Sequence, residues 1–207
     1  MAIRRETLAL LALGGAALLL SFIGCKDRFT WFLEVAPILL ALPLLALLSR
    51  TVTLTPLLLV LLFLHALVLM IGGHWTYAEV PLGFWMQHAL GFSRNHYDRI
   101  GHFVQGFVPA LLAREVLLRK TPLRRGGWLF FLVLCVCLAA SAFYELVEWW
   151  VAAATGTAAD AFLGTQGDPW DTQWDMCWAL IGALCAQLLL SRLQDRQMRA
   201  LAPPGAA

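Results

Sequence analysis

The stretch Leu54-Thr-Pro-Leu-Leu-Leu-Val-Leu-Leu-Phe-Leu-His65-Ala-Leu-Val-Leu-Met-Ile-Gly72 contains one ionisable side chain, His65. As a helix rising about 1.5 Å per residue it would nearly match the roughly 30 Å hydrocarbon core of a bilayer. Five further runs have the same character: Thr7 to Ile23, Trp31 to Leu48, Ile100 to Leu118, Trp128 to Ala152 and Thr172 to Leu193. The 207 residues are 60% hydrophobic and 14% charged, against the roughly one quarter charged that a soluble domain carries. These features predict an all-α polytopic membrane bundle of about six transmembrane helices. The formal net charge of +2 is too mild to suggest a nucleic-acid partner.

The runs divide the chain into a single integral membrane domain with unequal parts. Residues 1–73 hold three Leu-rich scaffold spans, interrupted by Glu34 and His65, with Pro37 and Pro43 placed to kink the second. His65, isolated in mid-span, is expected to be hydrogen-bonded in the core. Residues 74–99 contain Pro81, Gly83, Gly91 and Asn95 and read as an outer loop with a short interfacial helix. Residues 100–193 carry the polar helices, and 194–207 a cytoplasmic tail. With the N-terminus inside, eleven of the 15 lysines and arginines fall on inner segments, and only Lys26, Arg28, Arg94 and Arg99 fall outside. The positive-inside rule therefore predicts both termini in the cytoplasm. The first span could instead be a secretory signal ending at Gly24-Cys25, but Phe22 is too bulky for its cleavage site. The five cysteines are read as small apolar filler, and no disulfide is expected.

Three polar groups stand out against this background. The first is Gly164-Thr-Gln-Gly-Asp168-Pro-Trp-Asp171-Thr-Gln-Trp-Asp175. Asp171 and Asp175 share a helix face, and like charges that close need a cation, a proton or water. The second is Asn95-His96-Tyr97-Asp98-Arg99-Ile100-Gly101-His102-Phe103-Val104-Gln105, in which Asp98, His102 and Gln105 form one stripe. Such a stripe suits a metal or a proton relay; alternatively Asp98 caps the helix and His102 is a satisfied core residue. The third is Ser141-Ala-Phe-Tyr144-Glu145-Leu-Val-Glu148-Trp149-Trp150, with Glu145 and Glu148 on one face and Tyr144 beside them. Carboxylates at that depth are expensive unless they face the bundle interior.

All three groups fall at the outer ends of the last three spans, while the inner halves of those spans are nearly apolar. A one-sided polar chamber describes an outward-facing site better than a transport path, and no internal repeat supports a transporter.

The runs Tyr97-Asp98-Arg99-Ile100-Gly101-His102-Phe103, Glu145-Leu-Val-Glu148-Trp149 and Gly167-Asp168-Pro-Trp170-Asp171-Thr-Gln-Trp174-Asp175-Met176 resemble the YjdF family of bacterial inner-membrane proteins. That resemblance covers nearly the whole chain and implies a multi-pass helical protein of the bacterial inner (cytoplasmic) membrane; it implies no particular activity. A more remote likeness is to the VanZ-like membrane proteins, associated with glycopeptide resistance. It rests on the Asp98-Arg99-x-Gly101-His102-Phe103 start, a Glu-bearing helix and a later Asp171-x-x-x-Asp175.

Two functional expectations follow. One is a membrane enzyme acting on a lipid or lipid-linked substrate, with a divalent cation held among Asp98, His102, Glu145, Glu148, Asp168, Asp171 and Asp175, and with His102 and Glu145 as the catalytic candidates. Carboxylates favour magnesium, calcium or manganese, and the histidine opens zinc or iron. The other is a non-catalytic protein whose polar network binds an ion or partner. Membrane lipids are the expected surroundings, and Gly182 with Ala186 offers a small-residue face on which a second copy could pack.

Overall fold

The computed structural model describes residues 5–201, and Arg4, counted above among the inner basic residues, lies outside them. The described residues form eight α-helices: α1 (Arg5–Phe22), α2 (Arg28–Ser49), α3 (Pro56–Trp75), α4 (Pro81–Leu90), α5 (Tyr97–Lys120), α6 (Gly127–Thr155), α7 (Asp160–Leu163) and α8 (Asp171–Ala200). Short 3-10 turns at Tyr77–Glu79 and Gly156–Ala159 complete them.

Local signals set the helix ends. Asp27 caps α2 by accepting the Thr30 amide at 2.6 Å, and Thr55 caps α3 with Pro56 in the first turn, where a missing N–H costs nothing. Pro81 opens α4 in the same way, and Gly91, at φ 68°, closes it in the left-handed conformation that glycine adopts without strain. The expected interfacial helix is thus α4. Pro37 and Pro43 lie inside α2, which stays one continuous helix.

Five helices, α1, α2, α3, α6 and α8, are long and apolar enough to cross a membrane. Their outward faces are bare of polar cover: Leu19, Leu188 and Leu189 are each 71% exposed, which only a lipid environment makes inexpensive. The sequence predicts six crossings, and the sixth candidate, α5, is long enough but less apolar than the other five. Its 24 residues would extend about 36 Å, but it carries Asp98, Arg99, Arg114, Glu115, Arg119 and Lys120. Asp98, Arg99, Arg114 and Glu115 are buried, because α5 is the central helix, packed most extensively on α8 and then on α6 and α3.

The six long helices alternate in direction. Phe22, Arg28, Trp75, Tyr97, Thr155 and Asp171 gather at one end, tied by contacts such as the Lys26 amide to the His74 carbonyl (2.9 Å) and the Tyr97 hydroxyl to the Val68 carbonyl (3.0 Å). We call this the site end. Six tryptophans, at 75, 85, 149, 150, 170 and 174, are exposed around it, as expected of a belt at the membrane surface.

Helices α5 and α8 touch backbone to backbone. A methyl group placed on Gly106 would strike the Ala179 carbonyl, and one on Gly182 would strike the Phe103 carbonyl. Ala183 and Ala186 are fully buried in the same seam. The small-residue face read as a surface for a second copy is therefore consumed inside one chain.

At the opposite end a second polar knot joins α3, α5 and α8. Glu115, completely buried, accepts the Thr55 amide (3.1 Å), the Thr55 hydroxyl (2.8 Å) and the Gln194 amide (3.2 Å), and pairs with Arg119 at 3.2 Å. Arg114 reaches Gln194 at 3.1 Å and Asp195 at 2.8 Å. Residues 194–200, read from sequence as the beginning of a tail, are the last turns of α8, and Gln194 is among the most buried side chains of the molecule. Glu115→Ala strands Thr55, Gln194 and Arg119 together. Thermal unfolding of the detergent-purified protein is expected to show a loss of about 3–5 kcal/mol, with Glu115→Gln losing less.

Candidate functional site

The site begins where the loop enters α5. The Asn95 side-chain oxygen accepts the Tyr97 amide at 3.0 Å and its amide nitrogen donates to the Val80 carbonyl at 3.0 Å, so the helix starts from a buried asparagine packed on Gly83. The N-cap position is His96, which makes no side-chain cap; Asp98 does not cap the helix either, and turns inward instead. One turn later His102 presents Nε2 to the Asp98 carboxylate at 3.4 Å, the contact that the spacing of four allows. Gln105, the third member of the expected stripe, is only half-buried.

Helix α8 delivers Asp171 and Asp175, both buried, and the preceding loop delivers Asp168, one quarter exposed. The cation that their crowding demands is an arginine. Arg99 reaches Asp171 at 2.7 Å, Asp168 at 3.3 Å and Asp98 at 3.2 Å, and also pairs with Asp175. Arg94 adds a contact to Asp171 at 2.7 Å and a looser one to Asp168 at 3.7 Å. The planar fork of a guanidinium is suited to several carboxylates at once, which a point charge is not. From sequence both arginines count as topology signals, and Arg99 also as a member of the family-like motif, but neither as a site residue.

The far side of His102 is different. Its Nδ1 lies 3.9 Å from the Glu145 carboxylate on α6, and Nε2 also faces Asp175 at 3.6 Å. His102 is 5% exposed, Glu145 7% and Ser141 not at all, yet His102 Nδ1, Glu145 Oε1 and Ser141 Oγ have no hydrogen-bond partner among the described residues. Among the described residues, two side-chain sets come close enough to share one ion: Asp98, His102 and Asp175, and His102, Glu145 and Glu148. Arg99 already occupies the carboxylates of the first set. The second is unclaimed by any arginine, and Glu148 is half-buried beside it. The Tyr144 ring, edge-on to His102 at 6.5 Å and to Phe162 at 6.4 Å, closes that side.

One further acid comes from the half of the chain read as scaffold. Glu34 of α2 is 5% exposed and within electrostatic reach of Asp98 and His102. Beside it Tyr77 is wedged against Gly72 and Gly101, each too close to its ring to carry a side chain. Burial first, and then Glu34, pushes the Tyr77 phenol well above its usual range, so it remains a neutral hydroxyl. His65 departs from expectation in another way: its Nε2 is buried without a partner among the described residues.

The loop before α8 is strapped to the loop before α5. Arg94 donates to the Thr165 carbonyl, the Asn95 amide donates to the Gln166 side chain at 3.2 Å, and Gln166 returns a bond to the Asn95 carbonyl at 2.8 Å. His96 lies in the same strap; burial, then Arg94 and Arg99, pulls it below its ordinary value.

All seven acidic and histidine candidates therefore converge, and they sort by partner. Asp168 and Asp171 are bound to arginines, Asp98 and Asp175 stand between Arg99 and His102, and Glu145 and Glu148 meet His102 away from the arginines. Residues 6–196 match the family described as "Predicted membrane protein (DUF2238)". Among curated proteins the chain is similar to the inner membrane protein YjdF of Escherichia coli (strain K12). The two are 52% identical over 200 residues, spanning 94% of this chain and 96% of the relative. No solved structure matches the chain. A match of that extent, on a helical bundle with five helices long and apolar enough to cross a membrane, establishes that the chain belongs to the YjdF (DUF2238) family of inner-membrane proteins.

Proposed function

We propose that the site end holds a divalent cation at His102, Glu145 and Glu148 and uses it on the headgroup of a lipid or lipid-linked substrate at the outer face of the membrane. One observation carries this reading. Nε2 of His102 faces the carboxylates of Asp98 and Asp175, where its proton belongs, so Nδ1 offers a lone pair toward Glu145. Those two buried atoms then face each other as acceptors at 3.9 Å, neither with a hydrogen-bond partner among the described residues. A cation satisfies both at once, and the carboxylate on the opposite nitrogen is the usual support of a metal-binding histidine.

A cation there would polarise a phosphoryl or ester oxygen and lower the pKa of a bound water. The surrounding belt of exposed tryptophans supports a site at headgroup level. Against a transport path, the site is separated from the polar knot at the other end by about 18 Å of α5, from His102 to Arg114, whose buried positions are Gly106, Val108, Ala110 and Leu111.

A second reading is favoured by Arg99. Its saturation of Asp98, Asp171 and Asp175 is what a non-catalytic network built to lock helices would show. Elemental analysis separates the two. Protein purified without chelators is expected to carry one transition or alkaline-earth cation per chain. Glu145→Gln and His102→Ala should lose it, and Glu79→Gln, on an exposed pair with Lys26, should keep it. No stoichiometric metal in the unaltered protein would leave the locking network as the function of these side chains. Release of phosphate or alcohol from phospholipids and isoprenoid carriers, lost in the same two variants, would establish the enzyme.

A further inference from the structure

We infer that Ser141 is a fourth ligand of this cation, which makes the site a mixed nitrogen, carboxylate and hydroxyl centre. The inference rests on the cation reading above and adds to it a residue and a class of metal.

The register of α5 against α6 places the serine. These helices run antiparallel, and the Cys137 thiol meets the Gly106 carbonyl at 3.8 Å. One turn toward the site end, α6 reaches Ser141 and α5 reaches His102. One turn further they reach Glu145 and Asp98. Ser141 thus lies level with the imidazole whose Nδ1 has no partner, on the same α6 face as Glu145, which it precedes by four residues.

The hydroxyl itself behaves unusually for a helical serine. Hydroxyls inside apolar helices commonly donate to a carbonyl three or four residues back. Ser21 does so to Leu18 at 2.8 Å, Ser49 to Ala46 at 2.7 Å, Thr121 to Leu117 at 2.7 Å and Thr155 to Val151 at 2.8 Å. Ser141 is fully buried and forgoes that bond. His102 and Glu145 thus leave a nitrogen and a carboxylate oxygen unpartnered 3.9 Å apart, and Ser141, one turn before Glu145 on the same helix face, leaves a hydroxyl oxygen unpartnered.

The donor set decides among metals. Calcium seeks six to eight oxygens and magnesium keeps several waters, and neither gains from an imidazole. One imidazole with carboxylates and a hydroxyl suits a borderline ion such as zinc, iron(II) or cobalt(II).

Cobalt(II) is the probe, because its visible spectrum reports coordination and a thiolate ligand adds a strong near-ultraviolet charge-transfer band. Unaltered protein is expected to bind one cobalt(II) without that band; its native cysteines make it the proper blank. Ser141→Cys should bind cobalt(II) with the sulfur band. Ser141→Ala should bind it at least about tenfold more weakly while keeping helical content and a monodisperse profile. If cobalt(II) binds and is lost in Glu145→Gln, but Ser141→Cys shows no sulfur band and Ser141→Ala binds as tightly as the unaltered protein, the cation reading stands and the role of Ser141 is overturned. If neither the unaltered protein nor Ser141→Cys takes up cobalt(II), both fall.

Discussion

Arg99→Ala is expected to cost about 3–5 kcal/mol, enough to remove most of the folded protein from the membrane fraction, because removing one partner of a buried ion pair leaves charge uncompensated. The side chain is 8% exposed and holds Asp98, Asp171 and Asp175, themselves nearly as buried. Without it those carboxylates crowd together, with Arg94 left at Asp171 and the single imidazole of His102 shared between Asp98 and Asp175. Arg99→Lys keeps the charge but loses the fork, and should fall between the alanine variant and the unaltered protein. Asp168→Asn removes only the longer and partly exposed contact at 3.3 Å and should change stability by less than about 1 kcal/mol. Thermal unfolding in detergent, followed by size-exclusion fluorescence, orders the four proteins. An alanine variant as stable as the unaltered protein would show that the aspartates are hydrated and apart.

The second large effect is steric. Gly106→Val and Gly182→Val each drive a side chain into the backbone of the facing helix, at the Ala179 and Phe103 carbonyls, where no rotamer change makes room. Overpacking of this kind costs roughly 1–3 kcal/mol, and here it also parts α5 from α8, the two helices that carry Arg99 and its aspartates. Both variants should therefore lower the midpoint of unfolding and lose any cation bound at the site. Gly15→Val, at a glycine of α1 with open space around it, is the control and should change neither.

These predictions show what was legible in the residues themselves. The apolar runs matched the long helices to within about three residues, save at the end of α8, which continues past Leu193 to Ala200, because a bilayer admits few alternatives to a helix of about 20 residues. Convergence of Asp98, His102, Glu145, Glu148, Asp168, Asp171 and Asp175 was also readable, since alternating spans place the start of one beside the end of the next. Arg99 was not. In a sequence it looks like one more loop charge, and only the approach of α8 to α5 reveals four aspartates around it. Glu34 was hidden for a related reason: α2 packs on α3, and nothing in its Leu-rich sequence says that one acid turns toward Asp98. Ser141 was visible as a letter within its motif and silent as a donor, because its significance lies in a hydrogen bond it does not make.

The account stands on α5 and α6 presenting His102 and Glu145 to each other, and cross-linking tests that most directly. In a cysteine-free background, cysteines at 102 and 145 are treated with a short thiol-specific cross-linker, and the exposed connection bearing Lys120, Arg124 and Arg125 is then cut with trypsin. The side-chain tips lie 3.9 Å apart, so the two fragments are expected to stay joined on a denaturing gel; a pair at 102 and 150, with Trp150 facing outward, should separate. Fragments that separate equally in both proteins would contradict the convergence and remove the site.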